Sequence, residues 1–420
     1  RRITLETGVS LNTVHTDHFK TSLLTVNLLV PLEAETASLY SLLTDVLQRG
    51  TASYPTMQAL NRRKEELYAL GLSSYVQKKG EVQVVTFELS ALNDAYAFDG
   101  MRILRESIAL LGEVIFSPAL ENGVFPAEYV RQEKKNLCDA IRAQINNKRA
   151  YAQRRCIEIM CENERFAVNS AGDIARVEAV TPEALTAAYR TLLQSAAVEI
   201  LYIGSAAEAD LRSLVQTFLP FGSRPLPDLR TDTGVPEREV RHVTEQMAIS
   251  QCKLSIGLRM GVTLADPNYV RFSLFNELFG ASPFSKLFLN VREKKSLCYY
   301  CRPVPYNIKG VLIIACGIEQ KNKRAAYDAV MEQLEDMRQG KFDETEFDNA
   351  VRSLTNAYRQ IADSPATICS WYLSRILVGR TDSPADAAAS IGAVKPEDLA
   401  QIARGLRLDT VYYLEGADEN

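Results

Sequence analysis

Imidazole chemistry in this 420-residue chain rests on three side chains, His15, His18 and His242. His15 and His18 are three apart in a strand-like or turn segment ahead of the first long strand. At strand spacing such a pair points to opposite faces, poor geometry for chelation. His242 stands apart, and no carboxylate motif accompanies any of the three, so surface or hydrogen-bonded histidines are expected. The same scarcity leaves no legible Ser-His-Asp or Cys-His enzyme. Eight cysteines are scattered through the chain, and they read as reduced thiols of a cytosolic protein rather than a disulfide framework. Cys298 and Cys301 form the one CxxC, a weak zinc or redox signal because it lies in a strand-like run with no helix start after it. Neither a phosphate loop nor a dinucleotide fingerprint is present.

The elements that would position these groups come in two copies. In the first, a strand-like run at Leu23–Val30 leads to helical patterns at Glu33–Leu47, closed by Gly50, and at Met57–Leu70. Strand-like runs at Ser73–Gln77 and Val82–Leu89 follow, then a helix-period stretch from Asn93 to Leu111. The second copy repeats that order: a strand at Leu254–Leu258, then helices at Pro267–Phe279, closed by Gly280, and at Pro283–Lys295. Its strands are expected at Cys298–Val304 and Val311–Ile318, its next helix at Lys321–Arg338. Later parts agree in residue identity: Ala179-Val-Thr-Pro-Glu-Ala-Leu185 returns as Ala393-Val-Lys-Pro-Glu-Asp-Leu399, each a turn into a helix with Pro in the first turn. Terminal strands follow at Ala197–Ile203 and Thr410–Leu414.

A length of 420 residues exceeds what one core fills, since single cores stop growing near roughly 250–300 residues. The repeat therefore predicts an α+β fold of two homologous halves, each a mixed or antiparallel sheet covered by helices on one face. The halves are expected at 1–220 and 240–420, joined by a Pro- and Gly-rich linker at 221–239. Forty-eight basic against 52 acidic residues give a net charge of −4, with the basic residues dispersed, which argues against a nucleic-acid partner. No apolar run approaches the roughly 20 residues that span a bilayer. The first residues show no apolar h-region, so a cytoplasmic chain is expected; without an initiator Met the true N-terminus is left open.

The duplication, with Thr16-Asp-His-Phe-Lys-Thr21 and the stretch Ser285-Lys-Leu-Phe-Leu-Asn-Val-Arg-Glu-Lys-Lys-Ser-Leu-Cys-Tyr-Tyr300, resembles the insulinase-like (M16) zinc peptidases over the whole chain. The likeness is strongest to an M16B-like branch that lacks the metal motif, whose members are associated with elongation-factor modification and, in related pairs, with peptide maturation. An active member carries His-x-x-Glu-His on its first long helix, shortly before Gly-Thr. There both histidines share a helix face to bind zinc, and the Glu activates the bound water. Matching Gly50-Thr51 puts Ser41 and Asp45 at the histidine positions and Thr44 at the Glu. The third ligand, a Glu on a later helix, falls near Asp139 or Ala140. The resemblance thus implies a chain without metal or cofactor of its own, inactive alone.

The resemblance also brings forward a surviving feature. Active M16 assemblies use an Arg and a Tyr seven residues apart, in the half farther along the chain, to reach the scissile carbonyl, and Arg292 and Tyr299 stand at that spacing. Guanidinium and phenol donors suit an oxyanion. The structural alternative has Arg292 complementing a helix C-terminus and Tyr299 serving as an ordinary strand residue. Tyr300 is the competing phenol, and only one of the two neighbours can face a chamber. The function expected is the non-zinc subunit of a heteromeric peptidase. A homologous partner would carry His-x-x-Glu-His and zinc, and a peptide would be the substrate. The alternative is a non-catalytic scaffold or peptide-binding protein.

Overall fold

The computed structural model describes residues 1–416. It divides into two compact units. Unit 1 comprises Arg1–Arg142, Val168–Arg230 and Ser364–Leu373, and unit 2 comprises Ala143–Ala167, Thr231–Asp363 and the chain from Ser374 onward. Neither unit is continuous in sequence: 143–167 belongs to unit 2 and 364–373 to unit 1. Residues 221–239 form neither helix nor strand.

Unit 1 is built on six strands: β1 (Arg2–Glu6), β2 (Val9–His15), β3 (Thr21–Pro31), β4 (Gly71–Lys79), β5 (Val82–Leu92) and β6 (Ala197–Gly204). They lie in the order β1-β2-β6-β3-β5-β4. Unit 2 holds β7 (Arg241–Met247), β8 (Cys252–Arg259), β9 (Cys298–Tyr306), β10 (Val311–Ile318) and β11 (Arg407–Gly416), in the order β7-β11-β8-β10-β9. Leaving β1 aside, the two orders are the same. In each, one pair is parallel (β2 with β6, β7 with β11) and the rest are antiparallel. The duplication read from sequence is therefore a duplication of sheet topology. Strands β1, β2 and β7 escape the sequence pattern. β1 and β7 alternate exposed and half-buried residues at sheet edges, so no apolar run marks them.

Alternation along β3 explains the packing of unit 1. Leu24, Val26 and Leu28 enter the core with Leu42, Leu43, Ile108 and Leu111 of the Ala34–Leu47 and Ile103–Phe116 helices. Thr25 and Asn27 point the other way. Their polar groups are satisfied on that face, Asn27 donating to Thr25 at 2.9 Å and accepting from Thr86 at 2.9 Å. Segment 364–373 meets this face, with Cys369 Sγ 3.2 Å from Thr25 Oγ1.

In unit 2, β10 is buried along its whole length. Leu312, Ile314, Cys316 and Ile318 pack with Ala326, Val330 and Leu334 of the Lys323–Arg338 helix, while Val311 and Ile313 pack with Cys156, Ile157 and Met160 of the Lys148–Met160 helix. Helices thus cover both faces of this sheet, as a strand with no polar alternation requires. Gly257 lets the second helix close in, since a Cβ there would sit 2.8 Å from Met160 Sδ.

Two expected helices are shorter. The stretch from Asn93 starts its helix only at Ile103, because Asp94 folds back to accept from the Leu104 N–H at 2.9 Å. The Met57 helix stops at Glu66, before Tyr68 and Ala69 turn through positive φ. Among the described residues no helix is long and apolar enough to cross a membrane.

Candidate functional site

The positions matched to a metal motif lie on the Ala34–Leu47 helix. Gly50 ends that region at a turn where a Cβ would meet backbone atoms of Tyr54 and Pro55 at 2.7 Å. Ser41 and Thr44 are buried, and the Thr44 hydroxyl is committed to the Ser41 carbonyl at 2.7 Å. Asp45 is half-buried, and its carboxyl is pushed up to about 6 by burial and by the neighbouring Glu133 carboxylate. Glu133 reaches inward from the Ala127–Ala143 helix and is itself paired, accepting from Arg49 Nη1 at 2.9 Å and from Asn136 at 2.9 Å. Arg49 also donates to Gln132 and stacks 4.9 Å from the Tyr129 ring.

These residues do not fit a zinc ion. Zinc takes thiolate, imidazole or carboxylate donors, and Ser41, Thr44 and Ala140 offer none. Asp139 and Ala140 are exposed, and Asp139 is paired with Arg142 at 3.1 Å. Of the remaining carboxylates, Glu133 is already paired with the Arg49 guanidinium, and Asp45 alone cannot hold the ion. Among the described residues no three His, Cys, Asp or Glu side chains gather to hold a metal. His15, His18 and His242 are all exposed.

Unit 2 holds a second candidate. The chain expected as a helix at Pro283–Lys295 forms a wide π-helical stretch, Leu287–Lys294, which carries Arg292. Ser296 then turns through a φ of 50°, unusual for a residue with a Cβ, and β9 begins at Cys298. Opposite β10, Cys301 pairs with Cys316 and Tyr300 with Gly317, but Ile318 pairs with Cys298. Tyr299 is therefore the extra residue of a β-bulge. Bulges re-aim side chains, and Tyr299 is 60% exposed within an otherwise paired strand.

Arg292 and Tyr299 line one cavity of about 320 Å³, with Glu293, Cys298, Glu319 and Asn322. The guanidinium stacks 4.6 Å from the Phe288 ring, and Glu293 Oε1 lies 3.5 Å from its Nε. Stacking uses the face of the guanidinium and leaves edge N–H donors for another acceptor. Glu319 is held below the usual carboxylate range, first by its hydrogen bond from Lys321 and also by the Tyr299 hydroxyl. Tyr300 faces elsewhere. Its ring covers Gly317, where a Cβ would sit 2.4 Å from Cε1, and the Arg149 guanidinium stacks on it at 4.3 Å.

The cavity can bind and polarise a carbonyl through Arg292 and Tyr299, and its lining adds the carboxylates of Glu293 and Glu319 and the residue Cys298. Sequence reasoning missed Glu319, one residue past β10, and the Asp45–Arg49–Glu133 cluster. Helical spacing links Asp45 to Arg49, but Glu133 joins them only through tertiary packing.

Residues 179–354 match the family described as "Peptidase M16 inactive domain". Over 412 residues, 98% of this chain and 96% of the relative, it is 32% identical to a protein named "Probable inactive metalloprotease YmfF" from Bacillus subtilis (strain 168). The chain belongs to the M16 peptidase family. Like that relative, it is an inactive M16 metalloprotease homologue, and the lost donor set at Ser41, Thr44 and Asp45 is consistent with this. A conserved protein of Enterococcus faecalis V583 superposes with a TM-score of 0.92 at 29% identity, covering 100% of this chain and 99% of that one. The peptidase M16 inactive domain from Pseudomonas fluorescens gives 0.80 at 17% identity, over 99% of this chain and 98% of that one, a likeness of fold.

Proposed function

We propose that this M16 homologue is the metal-free subunit of a two-chain peptidase. A homologous partner carries His-x-x-Glu-His and its zinc, and this chain binds the peptide and presents Arg292 and Tyr299 to the scissile carbonyl. The observation that carries the reading is the shared cavity, with Tyr299 displaced from the sheet by a bulge onto the same wall as Arg292. A phenol and a guanidinium donor on one wall suit a subunit that stabilises charge formed by another chain's chemistry.

The test is co-purification with a homologue that keeps the motif, ideally one encoded by an adjacent gene, followed by metal analysis and cleavage of a quenched fluorescent peptide library. Zinc and cleavage are expected only in the pair. Arg292→Ala should lower kcat by about 10²–10³ without separating the chains, and Tyr299→Phe should lower it in the same direction. Stoichiometric zinc in this chain alone would overturn the proposal. Unchanged turnover in both variants, with an intact pair, would leave the scaffold reading in its place.

A further inference from the structure

The bulge that turns Tyr299 outward has a second effect. In a regular strand, residues three apart point to opposite faces and lie about 10 Å apart. Because Tyr299 is the extra residue, Cys298 and Cys301 fall on the same face as Cys316 and Ile318, two partner-strand steps apart. That is about 6.8 Å between Cα atoms, the upper end of the range a disulfide spans. Cys301 is also directly opposite Cys316, and Cys316 Sγ donates to Cys301 Sγ at 3.2 Å. Directly opposed residues of an antiparallel pair have Cα atoms about 4.5–5.5 Å apart, well within disulfide range.

Of the three residues only Cys298 lines the cavity, beside Arg292; all three belong to one buried cluster, at 8%, 5% and 1% exposure for Cys298, Cys301 and Cys316. The three sulfurs are not a metal cluster. We infer that Cys298, Cys301 and Cys316 form a thiol relay: a hydroperoxide entering the cavity oxidises Cys298, and the oxidation is stored as a Cys301–Cys316 disulfide between β9 and β10.

The polarity of the cluster supports this order. The hydrogen bond from Cys301 and the nearby Arg292 charge hold the Cys298 thiol below its ordinary range, against the effect of burial. Cys301 is pushed well above it. Burial raises the thiols of Cys252 and Cys369 to about 11 and that of Cys161 to about 12.

In the first step the Cys298 thiolate attacks the terminal peroxide oxygen. The O–O bond breaks, an alcohol or water leaves with a proton from solvent, and Cys298 becomes a sulfenic acid. The Cys301 thiol then attacks that sulfur. The S–O bond breaks, water leaves with the Cys301 proton, and a Cys298–Cys301 disulfide forms. Cys316 next attacks the Cys301 sulfur and its proton passes to Cys298, the better leaving group because its thiolate is the more stable. Two thiols lose two electrons, and the hydroperoxide is reduced to an alcohol and water.

The test uses the intact chain and hydrogen peroxide, with alkylation of free thiols and peptide mapping over time. In the wild-type chain Cys298 should react at least tenfold faster than Cys138, Cys156, Cys161, Cys252 and Cys369, and the end product should be the Cys301–Cys316 disulfide with Cys298 free. Cys301→Ser should leave a Cys298 sulfenic acid that dimedone traps. Cys316→Ser should stop at the Cys298–Cys301 disulfide. In Cys298→Ser the Cys301–Cys316 disulfide should form at least tenfold more slowly. Its formation at the wild-type rate would overturn the relay. Equal reactivity of Cys298 and the five other thiols in the wild-type chain would overturn it without any variant. None of these readouts involves a partner chain or peptide cleavage.

Discussion

Replacing Asp45 with asparagine should stabilise unit 1 at pH 8 and leave it nearly unchanged in acid. Asp45 has its carboxyl raised from 3.8 to about 6, by burial first and by Glu133 second. A raised acid favours folding while protonated, so the wild-type chain loses stability as pH climbs from about 4 to about 6 and stays lower above that. A rise from 3.8 to about 6 corresponds to about 3 kcal/mol at pH 8 and about half that at pH 5. Asparagine keeps the shape and cannot ionise, so the variant escapes this penalty. The charged neighbours set the comparison. Glu133, which accepts from Arg49 at 2.9 Å, repels an ionised Asp45.

Urea denaturation of wild type and variant at pH 4, 5 and 8, with and without added zinc, reads the effect. The variant should unfold at higher urea at pH 8, the gap should shrink by about half at pH 5, and little should remain at pH 4. Zinc should move neither curve, because a ligand that binds the folded form shifts the midpoint by mass action. A gap independent of pH would refute the reasoning about Asp45. A zinc-dependent rise in the wild-type midpoint, lost in the variant, would refute the conclusion that this helix holds no metal.

Glu164→Gln should destabilise unit 2 by about 3–5 kcal/mol, because Glu164 is 2.6 Å from both Arg259 and Lys309, whose side chains are 3% and 0% exposed. Burial works against its ionisation, but hydrogen bonds from Arg259 and Lys309 outweigh it and hold the carboxyl below the ordinary 4.5. Its stabilisation is present above that value and lost as pH falls through the lowered one, so the variant's deficit in urea midpoint should shrink in acid. Gly317→Ala should cost about 1–3 kcal/mol by driving a methyl against the Tyr300 ring, seen as a lower Tm, with Tyr299 still exposed to chemical nitration.

Much of the fold was legible because its evidence is local. Gly50 follows the Ala34–Leu47 helix, Gly280 lies in the π-helical turn Glu277–Ala281 that ends its counterpart, and the Val82 and Val311 strands recur at nearly the same offset. The family resemblance placed Ser41 and Thr44 at the metal-motif positions, and neither side chain can replace imidazole or carboxylate wherever it points. What stayed hidden depends on tertiary partners. Segments 143–167 and 364–373 carry no signal that each belongs with the other half's unit. The CxxC read as weak because no helix follows it, and the bulge that puts Cys298 and Cys301 on one face is a property of two strands together.

The duplication itself gives an independent argument about that register shift. In unit 1, β4 and β5 are the counterparts of β9 and β10, and they pair without interruption from Gly71 with Ser90 to Lys79 with Val82. Leu72 opposite Leu89 and Ser73 opposite Glu88 correspond to Cys298 opposite Ile318 and Tyr300 opposite Gly317. Nothing in unit 1 corresponds to Tyr299. The same ladder therefore forms with or without the extra residue, and the fold does not demand it. A bulge interrupts the ladder locally and leaves an aromatic side chain 60% exposed. What the added residue does is place a phenol beside Arg292 and put Cys298 on the face of Cys301. The proposed peptidase-subunit role and the proposed thiol relay both depend on that single added residue.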